Sequence, residues 1–324
     1  MGQPAKVLGP KDICMQSFRI SLFGKFQVRF KGQILSSLGG DKSQALFCYL
    51  LLYRDRPHSR EILANLLWDD VTSTQSKGYL RKALWQIQTE LNKYNELSNG
   101  NFLNIDADWV QINPNAEYWL DVVEFETTFS QIKDIPGWQL DPLIVQDLHH
   151  AVELYTGDLL ESGYQDYCLF ERTRFSHMYL SMLDKLMDYC MAHKEFENGL
   201  VYGLRVLRYD QARESTHRRL MRLHYMAKNR TEALRQFEQC TAVLQKELGV
   251  KPAKQTVLLY EQIQADQCDS IETAESTHQT GPYPGTFSLS ESILRLQKLQ
   301  QELSRVQHDI QHGIKAVEMM LINS

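Results

Sequence analysis

The sequence predicts a mainly α-helical protein with a small β component, and three observations carry that prediction. Residues 18–35 and 102–112 read as short strands, and three amphipathic stretches of helical period lie between them. From about 141 to 265 the chain is all helix by periodicity. Beyond a stretch rich in Ser, Thr, Gly and Pro, Leu289, Leu296, Leu303, Ile310 and Val317 recur every seven residues, the pattern of an amphipathic C-terminal helix.

Phe18, Ile20 and Leu22, then Phe26, Val28 and Phe30, alternate with polar residues as half-buried strands do, and Lys31-Gly32 reads as the turn of a short antiparallel sheet. From Lys42 the spacing changes to Ala45, Leu46, Tyr49, Leu50 and Leu52, a helix that stops at Arg54 to Pro57. Ser59 suits an N-cap, with Glu61 in the first turn, for a helix through Trp68. A third helix covers roughly 75–94, with Leu80, Leu84, Ile87, Leu91 and Tyr94 along one stripe. After the turn Ser98-Asn99-Gly100, Phe102, Leu103 and Ile105 followed by Trp109 to Ile112 form a hairpin. Sheet, three helices and hairpin make a winged helix-turn-helix, placed at 17–115.

The helical stretch is assigned to a tetratricopeptide-like repeat domain at 120–265, with breaks at Gly157, Glu161 to Gly163, Lys194, Tyr209 to Ala212, Lys228 to Arg230 and Gly249 to Pro252. Two of its turns repeat at an offset of 34: the residues from His193 to Leu200 lie over those from Ala227 to Leu234. Gly199 and Ala233 then fall at the same place, where a small residue suits a close helix crossing. Residues 267–288 read as a flexible linker and 289–322 as the heptad helix, which must pack on a second copy, on its own repeat domain or on a partner helix.

The composition excludes several classes. With 324 residues, 43% hydrophobic, 23% charged and a mean hydropathy of −0.39, the chain has a globular composition. Its longest apolar or aromatic run, Ala45 to Tyr53, is far short of the roughly 18 residues a membrane span needs. Met1 to Gln16 has no apolar leader core, so a cytoplasmic protein without membrane contact is expected. Six widely spaced cysteines offer no CxxC pair, and reduced, buried thiols are expected. No GxSxG, HExxH, GxGxxG or GxxxxGK[ST] is present, and the histidines form no ligand cluster, so no catalysis, metal or cofactor is expected. His308 and His312, and likewise His149 and His150, read as ordinary solvated or packing residues. Net charge is −5, but residues 1–120 carry 14 Lys and Arg against 11 Asp and Glu, whereas the remainder carries 21 against 29. A polyanion would be met by the N-terminal part. The repeat-domain aromatics Tyr155, Tyr164, Tyr167, Phe170, Phe175, Tyr179, Tyr189 and Tyr202 read mainly as core.

The run from Leu22 to Val28, Lys42 with Ala45-Leu46 and Leu50 to Leu52, Ser59 to Trp68, and Leu80 to Leu84 resembles the OmpR-type winged helix of the Streptomyces antibiotic regulatory protein (SARP) family. Leu120-Asp121-Val122, Leu154 to Leu160, Glu171-Arg172, and Leu220-Met221 through Ala233 to Phe237 and on to Glu247 to Pro252 resemble the bacterial transcriptional activator domain (BTAD). The resemblance implies a transcription regulator, an activator, that binds double-stranded promoter DNA through the winged helix. It also implies a repeat domain used for homodimerisation or for contact with the transcription machinery, RNA polymerase included.

If the Leu80 stripe faces inward, a 100° step puts Gly78, Arg81, Lys82, Trp85, Gln86, Thr89 and Lys93 on the outward half of the third helix, the one that would enter the major groove. There Arg and Lys read guanine, Gln pairs with adenine and Thr touches a thymine methyl. Lys77 at the helix start, with Lys42 and Arg60 near the starts of the two preceding helices, are phosphate candidates. Relatives carry arginines through the second half of this helix, where this chain has Gln86, Gln88 and Thr89, and Asp106 and Asp108 flank the wing tip. The competing expectation is a protein-interaction scaffold whose winged helix has lost DNA readout.

Overall fold

The computed structural model describes residues 17–35, 38–94, 101–161 and 166–266. The alternation at the N-terminus folds as β1 (Phe18–Ser21) against β2 (Gln27–Phe30), antiparallel, with Phe18 opposite Phe30 and Arg19 opposite Arg29. Phe18, Ile20, Val28 and Phe30 are buried, and the two arginines project from the opposite face. Lys31 and Gly32, both at positive φ, turn the chain into β3 (Gln33–Ile34).

Three helices follow: α1 (Asp41–Leu52), α2 (Arg60–Leu67) and α3 (Ser73–Asn92). The α3 helix starts upstream of residue 75 because Thr72 and Gln75 close a capping box, which apolar spacing does not register. Its stripe of Leu80, Leu84, Ile87 and Leu91 is buried as expected. The hairpin forms as β5 (Leu103–Ile105) and β6 (Trp109–Ile112). Two short strands add to the expected pattern. β4 (His58–Ser59) joins β6 to make a three-stranded wing sheet, and β7 (Tyr118–Leu120) runs parallel to β1, giving the order β3-β2-β1-β7. Strands of two or three residues are too short for a period, and a parallel neighbour is reached only by a long crossover, here the three helices and the wing.

The helical part begins earlier than residue 141. α4 (Asp121–Ile132) follows β7 directly, and a short 3-10 turn at Gly137–Gln139 leads to α5 (Pro142–Leu154), capped by Asp141. Then come α6 (Asp166–Ala192), α7 (Phe196–Tyr209), α8 (Glu214–Met226), α9 (Arg230–Leu248) and α10 (Lys254–Gln264), each packed on its neighbour and separated at the expected breaks.

The 34-residue offset holds bond by bond. Lys194 (φ 63°) and Lys228 (φ 64°) occupy the same left-handed position. Glu195 N–H donates to Cys190 O at 2.8 Å and Asn229 N–H to His224 O at 2.8 Å, while Gly199 bonds to Glu195 O as Ala233 does to Asn229 O. A Cβ on Gly199 would stand 3.0 Å from Leu223 and 3.2 Å from Cys190, so the α6–α7–α8 crossing requires the small residue there.

Residues up to Ala265 form one compact unit, because the sheet and the helices share a seam. Phe23, buried just past β1, sits 5.0 Å from Phe125, 4.9 Å from Tyr155 and 5.3 Å from Phe175, ring centre to ring centre. Its backbone bridges Leu159, and Gly24 N–H donates to Asp158 O at 2.8 Å. The Asp121 carboxylate, 2% exposed, accepts from Leu22 N–H at 2.7 Å, Phe23 N–H at 3.0 Å and Val122 N–H at 2.8 Å.

Of the repeat-domain aromatics, Tyr155, Phe175, Tyr179, Tyr189 and Tyr202 are buried and Tyr167 is half-buried, donating to Ala45 O across the seam. Phe170 departs from expectation: it is 68% exposed near the start of α6. Tyr164, the linker at 267–288 and the heptad residues Leu289, Leu296, Leu303, Ile310 and Val317 lie outside the described residues. Cys48, Cys168, Cys190 and Cys240 are buried and form no disulfide among the described residues, and burial pushes the thiols of Cys190 and Cys240 up to about 12 and about 11.

Candidate nucleic-acid interface

The capping box fixes where α3 starts, and the buried stripe then fixes which side chains face outward. Lys77, Gly78, Arg81, Lys82 and Trp85 are exposed, Trp85 at 63%, while Gln86 and Thr89 are half-buried at the edge of that face. Arg81 and Lys82 have no partner among the described residues. Both long cations therefore project into solvent beside an indole, a combination that can bond phosphates and guanine edges and stack on a sugar or base.

Gln86, Lys42, Arg60, Lys77 and Lys93 are engaged within the fold. Gln86 Oε1 accepts from Ser43 Oγ at 2.9 Å, which ties α3 to α1 rather than leaving the amide free. Lys42 Nζ donates to Leu67 O and so closes the C-terminal end of α2. Arg60 donates to Asp106 O at 2.9 Å, and its backbone N–H donates to Asp108 O at 2.9 Å, fastening the start of α2 to the wing tip. Lys77 pairs with Glu61 at 3.2 Å across exposed ground, and Lys93, the residue just past α3, pairs with Glu90 at 2.6 Å. Exposed pairs of this kind are worth about 0–1 kcal/mol, so a phosphate can displace the carboxylate at little cost.

At the wing tip, Asp106 N–H donates to Trp109 O at 2.9 Å and holds Asp106 and Asp108 in solvent, with Trp109 49% exposed beside them. Two tryptophans, Trp85 on α3 and Trp109 on the wing, are exposed on these two elements. Tyr79, absent from the expected outward set, is also exposed on α3 and leans on Trp68 at 6.4 Å. Its signal was its position three residues before Lys82, on the same side of the helix. Ile62 and Leu66 of α2 are likewise exposed, although a helical period alone assigns such residues to a core.

The chain is thus a winged helix with a cationic outward face on its third helix, joined through a shared seam to stacked helical hairpins. Residues 120–264 match the family model described as the bacterial transcriptional activator domain. The chain is similar in fold to Mycobacterium tuberculosis EmbR, solved in complex with a low-affinity phosphopeptide, with a TM-score of 0.58 and 15% identity over 78% of this chain. It spans 66% of that protein, just under two thirds. None of the curated proteins matches the chain. The match to that domain supports a transcriptional regulator. Among the described residues no helix is long and apolar enough to cross a membrane.

Proposed function

We propose that this chain is a sequence-specific DNA-binding regulator, an activator, that reads promoter DNA with α3 of a winged helix at 17–115. The observation that carries the proposal is the row of Arg81, Lys82 and Trp85 on α3, exposed and backed by a fully packed stripe. Arg81 and Lys82 supply the base and phosphate contacts, and Lys77 and Lys93 add phosphate contacts by exchanging their carboxylate partners. Four such contacts per protomer give a log–log salt slope of about −3.6, shallow enough that one protomer binds weakly and pairing of protomers matters. The helical part at 120–265 and the heptad residues 289–322 are proposed to supply that pairing, with RNA polymerase as the further partner.

The test is selection of genomic DNA fragments by the full-length chain at about 50 mM salt, with the winners measured again at about 200 mM. Recovery of a repeated motif, lost in Lys82→Glu while the fold is retained, supports the proposal. Equal binding by wild type, Lys82→Glu and Arg81→Glu refutes the assignment of α3. A second reading, a helical-repeat scaffold without DNA readout, is favoured by one observation: Lys42, Arg60 and Gln86 are all committed to internal bonds. No enrichment from a folded sample supports that reading.

A further inference from the structure

The outer face of the N-terminal sheet carries a feature that DNA binding by α3 does not use. A groove of about 1030 Å³ crosses β1 and β2, walled by the end of α5 at Glu153, Leu154 and Thr156. Arg19, Lys25, Arg29 and Lys31 line it, all exposed, together with Trp119 of β7. Its two carboxylates are already occupied: Glu153 pairs with Arg205 at 2.7 Å, and Asp121 accepts three backbone N–H groups beneath the floor. The groove therefore presents Lys25, Arg29 and Lys31, with Arg19 held over Trp119, against no uncommitted anion among its lining residues.

The register sharpens the point. Arg19 stands directly opposite Arg29 on neighbouring strands, and on its other side it is paired with Trp119, over whose ring its guanidinium lies at 4.0 Å. Like charges placed directly across an antiparallel pair destabilise a sheet, and a local conflict of this kind marks a place where function rather than folding sets the residue. Two guanidinium groups held side by side, one braced on an indole, form a fork for carboxylates. Arg29 Nε is bonded to Gln27 Oε1 at 2.8 Å, which fixes its orientation on the sheet.

We propose that this groove docks an extended acidic peptide segment of a partner protein. Charge complementarity selects acidic side chains. Four residues of β1 give a floor of roughly 13 Å, the length of about four residues of an extended peptide, and the α5 wall leaves the face concave, unsuited to a convex duplex. Arg29 and Lys25 are the central contacts, and Trp119 reports occupancy.

The experiment is titration of the full chain with a fluorescent hexaglutamate peptide at about 50 mM salt, where exposed charges are weakly screened. The variants are Lys25→Glu/Arg29→Glu in the groove and Lys82→Glu on α3. Arg29→Glu turns a repulsive cross-strand pair into an attractive one, so the sheet of the groove variant stays folded. The expected result is binding that weakens about tenfold or more in the groove variant and is unchanged in Lys82→Glu. Absence of peptide binding to wild type overturns the proposal, as does equal binding by the groove variant, or loss in Lys82→Glu instead. If the groove variant loses affinity for a short DNA duplex as much as for the peptide, the face belongs to the nucleic-acid surface and the acidic partner is refuted.

Discussion

Asp121 is where a single side chain joins the sheet to the helices, and its removal has a calculable effect. Its carboxylate serves the buried N–H groups of Leu22 and Phe23 at the end of β1 and that of Val122 at the start of α4. Asp121→Ala leaves three donors unpaired at about 1–3 kcal/mol each, a loss of about 3–9 kcal/mol, which rivals the whole stability of many domains. Asp121→Asn keeps one acceptor oxygen and should cost less.

The pH dependence separates the charge from the bonds. Burial raises the Asp121 carboxyl to about 6, outweighing the three N–H donors that lower it. A carboxyl with a raised folded pKa binds a proton more readily folded than unfolded, so its contribution is fully present below about pH 4 and is lost as pH rises through about 6. The shift of about two units corresponds to about 3 kcal/mol. Urea unfolding of wild type and Asp121→Asn, followed by tryptophan emission at pH 4, 5, 6 and 7, should show the wild-type advantage shrinking by about that amount across the series. An advantage that stays flat or grows with pH would show that the bonds, not burial, set the titration.

Three further outcomes are expected. Gly137→Ala places a Cβ 2.4 Å from Lys185 O and 2.7 Å from Asp188 Cβ, so the 3-10 turn must move off α6 at about 1–3 kcal/mol, whereas Gly78→Ala on α3 meets nothing within 4 Å and should gain about 0.5–1 kcal/mol; thermal melts of the two variants should move in opposite directions. Burial lowers the His217 imidazole, whose Nδ1 accepts from Gln236 Nε2 at 2.6 Å while Nε2 donates to Gln211 O at 2.9 Å; its contribution is present above about pH 6.5 and lost on acidification, opposite in sign to Asp121, and should vanish from the pH 7 to 5 stability difference in His217→Gln. Removal of residues after 266 should lower the oligomer mass on light scattering if the heptad residues pair protomers, and an unchanged mass counts against that pairing.

The sequence discloses those parts whose information is local. The Leu80 stripe, the Lys31-Gly32 turn and the 34-residue offset each depend on neighbours within one or two turns, and each survives into the structure. What it conceals is long-range. The pairing of β7 with β1 rests on residues about 100 positions apart, and a three-residue strand carries no period to betray it. The candidate site divides along the same line. Exposure of Arg81, Lys82 and Trp85 follows from a wheel, but the engagement of Lys42 with Leu67, of Arg60 with Asp106 and of Gln86 with Ser43 depends on where other elements come to rest. The groove cations show the same limit, because nothing local tells that Arg19 and Arg29 stand opposite each other.

The seam also bears on how α3 is presented. An aromatic cluster around Phe23, the Asp121 bonds, the Tyr167 bond to Ala45 and a chain of charges cross it. In that chain Arg54 meets Glu126 at 3.1 Å, Arg174 meets Glu126 and Glu171 at 2.7 Å each, and Tyr53 donates to Glu171 at 3.2 Å. Glu171 is buried and pairs with Arg174, so removing Arg174 leaves that anion without its cation, and breaking such a buried pair costs about 3–5 kcal/mol. A winged helix fastened this way does not pivot freely on the helices behind it. If protomers pair through the helical part, the distance and rotation between their α3 helices are fixed by the fold, and only DNA half-sites at one spacing can meet both. Inserting five base pairs, about half a turn, between selected half-sites should then abolish paired binding. Tolerance of that insertion would mean that the seam yields or that protomers pair elsewhere.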